Sequence, residues 1–146
     1  MKARLTTGQQ VKEAFGMDYQ DISYTVTTEK NFDAAVTAVE EATAAQGMKV
    51  QHIHDVQATL KSKGYDSEPL KIIEICNARY AHEVLAKDVL ISLMMPCKIN
   101  VYTRDGKTYI SALRPTMLAK FYPETGLEEI ASQVDAKIRA IVDAAR

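Results

Sequence analysis

The sequence predicts an α+β fold: an antiparallel sheet of four to five strands with two long helices packed on one face. Three observations lead there. Several segments alternate apolar and polar residues with period two, the mark of half-buried strands. Two longer segments carry a single apolar stripe at helical spacing. The turns between strands are short and contain glycine, which favours antiparallel pairing and leaves the helices to cover one sheet face.

Taken in order, Thr7-Gly8-Gln9-Gln10 offers a hydroxyl and, three residues later, an amide ahead of Val11, Ala14 and Phe15, with Gly16 as a stop. This reads as a helical arm over residues 1–19, preceding a single domain over 20–146, with a small apolar face to pack on the domain or on a second subunit. Ile22, Tyr24 and Val26 alternate with Ser23, Thr25 and Thr27, giving the first strand. Asn31 is a good cap for a helix whose stripe is Phe32, Ala35, Val36, Val39 and Ala42, with Gly47 at its end.

Residues 48–60 alternate again, placing His52 and His54 on the face shared by Met48, Val50, Val56, Ala58 and Leu60. The expectation is therefore one long strand with two histidines on its apolar face. Leu70 to Ile75 is a third strand. Asn77 caps a short helix running to about Asp88. Pro96 suits the start of a fourth strand, Cys97 to Tyr102, since no ladder donor is needed there. Asp105-Gly106 is a hairpin signal into Lys107 to Leu113. The last helix aligns Leu127, Ile130, Ala131, Val134, Ile138, Ile141, Val142 and Ala145, and Thr125-x-x-Glu128 reads as its capping box.

Composition bounds the function classes. The chain has 146 residues, 47% hydrophobic and 25% charged, with 18 basic and 19 acidic side chains and a formal net charge of -1. A chain of this length buries about 68–70% of its unfolded surface in one core. Near-neutral charge lacks the excess of Lys and Arg that displaces counterions from phosphates, so no nucleic-acid partner is expected. The longest apolar run, Val89 to Met95, is broken by Ser92 and is far shorter than the ~20 residues that span a bilayer, so no membrane partner is expected either. The start of the chain has positive charge but no apolar stretch after it, which points to the cytoplasm. A periplasmic domain with its leader removed would read the same way.

Several stretches together resemble the domain of unknown function 302 family. They are Val56-Gln57-Ala58-Thr59-Leu60-Lys61-Ser62-Lys63-Gly64, Glu74-Ile75-Cys76-Asn77-Ala78-Arg79-Tyr80-Ala81, Met95-Pro96-Cys97-Lys98-Ile99-Asn100-Val101-Tyr102, and the hairpin ending near Pro115. The resemblance spans about residues 20 to 146, and the N-terminal arm lies outside it. It implies a TATA-binding-protein-like sheet with two helices, and a homodimer. It implies no established activity, and a fold shared with a DNA-binding protein says nothing of function.

The chemically interesting residues are the cysteines and histidines. Cys76 and Cys97 are 21 residues apart in the chain, too far for a CxxC redox motif or a tight zinc knuckle. Cys76 precedes a helix N-terminus, where the backbone dipole favours thiolate, so it is the candidate nucleophile or ligand. Cys97 shares a face with Ile99 and Val101 and reads equally as a small core hydrophobe. Both are candidates for a redox or sulfur-handling pair.

His52 and His54 project the same way, about 7 Å apart by strand geometry. With Cys97 on a neighbouring strand they would offer the nitrogen and sulfur ligands of a zinc or copper ion. The plainer reading gives each histidine a protein partner at the sheet edge, and His82 a surface position. Glu40-Glu41 and Glu128-Glu129 read as solvated helix faces. Lys61, Lys63, Lys71 and Arg79 form either a small anion-attracting patch or scattered solvated charges.

Phosphate-binding loops, dinucleotide fingerprints and nucleophile elbows are absent from the sequence. Whether the protein is an enzyme therefore stays open. The expectation is a small dimeric binding protein with a ligand or cofactor near Cys76, Asn77, Cys97, His52 and His54. Its rivals are a thiol redox or sulfur-handling protein, a His-x-His zinc or copper protein, and a purely structural interaction domain.

Overall fold

Five alternating segments pair into one antiparallel sheet in the computed structural model, which describes residues 6–146, with the side chains at positions 7, 8, 11, 15 and 19 outside that description. The strands are β1 (Ser23–Thr28), β2 (Lys49–Asp55), β3 (Leu70–Cys76), β4 (Cys97–Arg104) and β5 (Lys107–Leu113), in spatial order β1-β5-β4-β3-β2. Between them lie α3 (Phe32–Ala45), α4 (Val56–Ser62) and α5 (Ala78–Lys87), and α6 (Thr116–Phe121) and α7 (Glu128–Ala145) follow the sheet. Two short helices, α1 (Thr7–Phe15) and α2 (Tyr19–Ile22), precede it.

The long helices α3 and α7 cover one face, as the sequence predicts. Asn31 starts α3 by accepting the Ala34 amide at 2.8 Å, and Gly47 ends the turn at φ +70, a conformation that favours glycine. Ile73, Ile75, Ile99, Val101 and Ile110 from the three central strands are fully buried against Val39, Ile138, Ile141 and Val142 of the helices. Burying each such side chain stabilises the fold by about 1.5–3 kcal/mol before entropy is counted. Asp105 at φ +50 and Gly106 at φ +76 make the tight β4–β5 hairpin that Asp-Gly announces.

The structure corrects the sequence reading in four places. The box that starts α1 lies one residue earlier than Thr7: Thr6 accepts the Gln9 amide while Gln9 accepts the Thr6 amide. The packing expected of the arm through Val11 and Phe15 falls outside the described residues. Residues 56–62 are helix, started by Asp55, whose carboxylate accepts the Ala58 amide at 2.9 Å. The Thr125 hydroxyl donates to the Tyr122 carbonyl, and Leu127 starts α7 with no side-chain cap.

The fourth correction concerns the histidines. Val50 pairs with Ile75 and His52 with Glu74, so Gln51 is an extra residue, a β-bulge that shifts the alternation by one. Ile53 therefore faces the core, and His52 and His54 turn to the uncovered face, where both are exposed.

Candidate functional site

Topology gathers sulfur at one end of the sheet. The strand β2 begins after Met48, the antiparallel β3 ends at Cys76, and β4 begins at Cys97 just after Met95-Pro96, so three neighbouring strands meet at this end. Lys49 pairs with Cys76, and Ile75 with Cys97. Met48, Cys76, Met95 and Cys97 line one cleft of about 50 Å³ between the sheet end, α5 and α7. Tyr80 and Val84 of α5 and Ile130 and Val134 of α7 form the opposite wall. Their i, i+4 spacing follows from a helix face turned inward.

The other side of Cys76, Met95 and Pro96 lines a shallow depression at the surface together with Gln51 and Ala78. These residues separate the interior of the cleft from solvent, and the bulged Gln51 stands beside them.

Asn77 locks this corner. Its Oδ1 accepts the Tyr80 amide at 3.2 Å, capping α5, while its Nδ2 donates to the Gly47 carbonyl at 3.0 Å. One side chain thus ties the start of α5 to the turn before β2. Both cysteines are free thiols. Burial pushes the Cys97 thiol up to about 11, with Cys76 nearby adding to the rise and Lys98 opposing it. Burial also raises Cys76, and the hydrogen bond from the Asn77 backbone only partly offsets it. The expected lowering of Cys76 by the helix terminus is thereby reversed, because loss of hydration outweighs one amide dipole.

The histidines lie elsewhere. His54 Nε2 is 3.0 Å from Glu74 Oε1, and the His52 and His54 rings meet edge to face at 4.3 Å on the uncovered face. Cys97 lies among Ile99 and the core, beneath the helices. His52, His54 and Cys97 therefore do not converge. Among the described residues no group of three or more His, Cys, Asp and Glu is placed to hold a metal ion. His82 is exposed on α5.

The basic residues do not converge either. Lys71 sits over the Phe32 ring, Arg79 pairs with Glu83 at 3.1 Å, and Lys61 and Lys63 are exposed at the end of α4. The uncovered face holds a hydroxyl chain, Thr25 to Ser111 at 2.8 Å and Ser111 to Tyr102 at 3.0 Å. Sequence reasoning missed the thioethers of Met48 and Met95. Their signal was positional, a methionine one or two residues before each of β2 and β4, the strands on either side of β3.

Fold and site define a class: a five-stranded antiparallel α+β domain, covered on one face, with an apolar sulfur-lined cleft at one sheet end. The sequence model of a family described as "Domain of unknown function DUF302" matches residues 24–145, and the chain belongs to that family. A solved structure, described as the crystal structure of an uncharacterized conserved protein DUF302 from Bacillus stearothermophilus, is 32% identical and superposes with a TM-score of 0.81. The match covers 86% of this chain and 98% of that one. No curated protein matches the sequence. Among the described residues no helix is long and apolar enough to cross a membrane.

Proposed function

We propose that the protein is a small-ligand binding protein whose site is the cleft between the ends of β2, β3 and β4 and the helices α5 and α7. The observation that carries this reading is a cleft of about 50 Å³ lined by both free cysteines, beside a core of fully buried isoleucines. Protein interiors hold few voids larger than a water, so such a space next to reactive atoms is a candidate for occupancy. Apolar cavities stay dry and accept small apolar guests.

A thiol redox role has less support, since burial keeps both sulfurs protonated near neutral pH and the attacking species is thiolate. A His-x-His metal role has less support because the imidazoles face away from Cys97.

Xenon provides the test. Under pressure it is expected to shift the amide and methyl resonances of Val84, Ile130 and Val134, and Ala131→Leu, which fills the lining, is expected to remove those shifts. Uniform small shifts throughout the protein, or shifts unchanged in the filled variant, would show a closed core and overturn the reading.

A further inference from the structure

We propose that the occupant of the cleft is a soft monovalent metal ion, Cu(I), held by the sulfurs of Cys97 and Cys76 with the thioethers of Met48 and Met95. This rests on the reading of the cleft as a ligand site and names its ligand class. The four sulfur-bearing residues come from three adjacent strand ends and line one space. They include both cysteines of the chain and two of its six methionines.

The donor set selects the metal. No carboxylate and no imidazole lines the cleft. The amide of Asn77 is already used at both ends, by Tyr80 and by Gly47. Hard cations such as Mg²⁺ and Ca²⁺ are held mainly by carboxylate and carbonyl oxygens, and the lining offers no carboxylate. Thiolate and thioether sulfur together select Cu(I), whereas structural zinc takes thiolate and imidazole.

Charge agrees with this choice. An apolar lining penalises any net charge within it. Cu(I) replaces the proton of one of the two thiols, forming a Cu–S bond and releasing one H⁺ to water, while the other cysteine coordinates as the neutral thiol, so the ion and its single thiolate sum to zero. The thioethers add donors without adding charge. Cys76 and Met95 line both the cleft and the surface depression beside Gln51, so they are the two sulfurs nearest solvent on that side. Metal handed over at the surface meets these two sulfurs first.

The test uses the full chain, reduced and free of oxygen, titrated into the coloured bicinchoninate complex of Cu(I). Bleaching is expected to stop at one Cu(I) per chain. Met48→Leu and Met95→Leu conserve volume and so keep the fold, and each is expected to weaken binding by at least the ~10-fold that losing even an outer-shell partner costs. The double substitution Cys76→Ser and Cys97→Ala is expected to abolish transfer, while His52→Gln with His54→Gln leaves it unchanged. Added Ag(I), a diamagnetic surrogate, is expected to move the S-methyl resonances of Met48 and Met95 alone.

Retention of Cu(I) by the chelator, or transfer indifferent to both methionine variants, overturns the proposal. So does loss of binding in the histidine variant, or tighter uptake of Zn(II). Xenon entering a cleft that refuses Cu(I) would leave the binding reading standing and remove only the metal. Cu(I) uptake that needs these sulfurs, in a cleft that excludes xenon, would keep the cleft as a ligand site and remove only its role for apolar guests.

Discussion

Cys97 shows how strongly a single environment can act on one atom. Its sulfur lies at the junction of β4 with the helix layer, and burial raises its pKa from 9.0 to about 11. Below pH 9 the thiol is protonated in both folded and unfolded chains, so it contributes no pH dependence. Between about 9 and about 11 the unfolded chain releases its proton while the folded one retains it, so stability falls as pH rises through that window. Tyr24, whose hydroxyl donates to Asp143 at 2.7 Å, is also raised and adds a loss of the same sign. Comparing urea midpoints of the parent and Cys97→Ala from pH 8 to about 11 isolates the cysteine. A shallower decline is expected in the variant, and parallel curves would place Cys97 in a hydrated site.

At the scale of an element, the bulge in β2 decides which side chains the core receives. A strand without Gln51 as an extra residue would bury its residues in strict alternation, the reading that puts His52 and His54 inside. With the bulge, Ile53 enters the core opposite Ile73, and the imidazoles go to the open face, where Glu74 pairs with His54. Ile53→Ala is therefore expected to cost about 1–3 kcal/mol, less than the 2–5 of a fully buried isoleucine because Ile53 is half-buried. His52→Ala, at an exposed position, is expected to stay within about 0.5 kcal/mol. Denaturant unfolding ranks the two, and the opposite order would remove the bulge from the account. The same device brings Gln51 beside Cys76 at the cleft mouth.

Across the whole molecule, one buried carboxylate joins sheet, helix layer and N-terminal segment. Asp135 of α7 is 2% exposed and accepts from Arg114 Nε and Nη2, each at 3.1 Å, and from Arg139 Nε at 2.9 Å. Arg114 follows β5, and its Nη1 donates to the Gln20 carbonyl in α2 at 3.2 Å. The forked guanidinium suits this role because its donors lie in one plane at fixed angles. Removing a buried partner leaves a charge uncompensated, which costs about 3–5 kcal/mol when both groups are fully buried. Arg114 and Arg139 retain some exposure, so Asp135→Asn is expected to lose about 2–3 kcal/mol, read as a lower urea midpoint. A change under about 0.5 kcal/mol would show that the network adds nothing to stability.

Sequence by itself determined the α+β class, the order of the five strands along the chain, both long helices, the Asn31 and Asn77 caps and the Asp105-Gly106 hairpin. Each is a local matter: a period of 2 or 3.6, a side chain that reaches an amide three residues on, a backbone that needs positive φ. It also singled out Cys76, Asn77 and Cys97, which do share the cleft. Only the tertiary structure decided the side on which His52 and His54 lie, because one inserted residue inverts every later position in a strand. It alone turned Val56–Ser62 into helix and brought Met48 and Met95 to the two cysteines. Those contacts depend on the spatial strand order β1-β5-β4-β3-β2, which sets neighbouring strand ends side by side. Local patterns are blind to that order, since it is chosen by how the whole sheet packs its apolar face beneath α3 and α7.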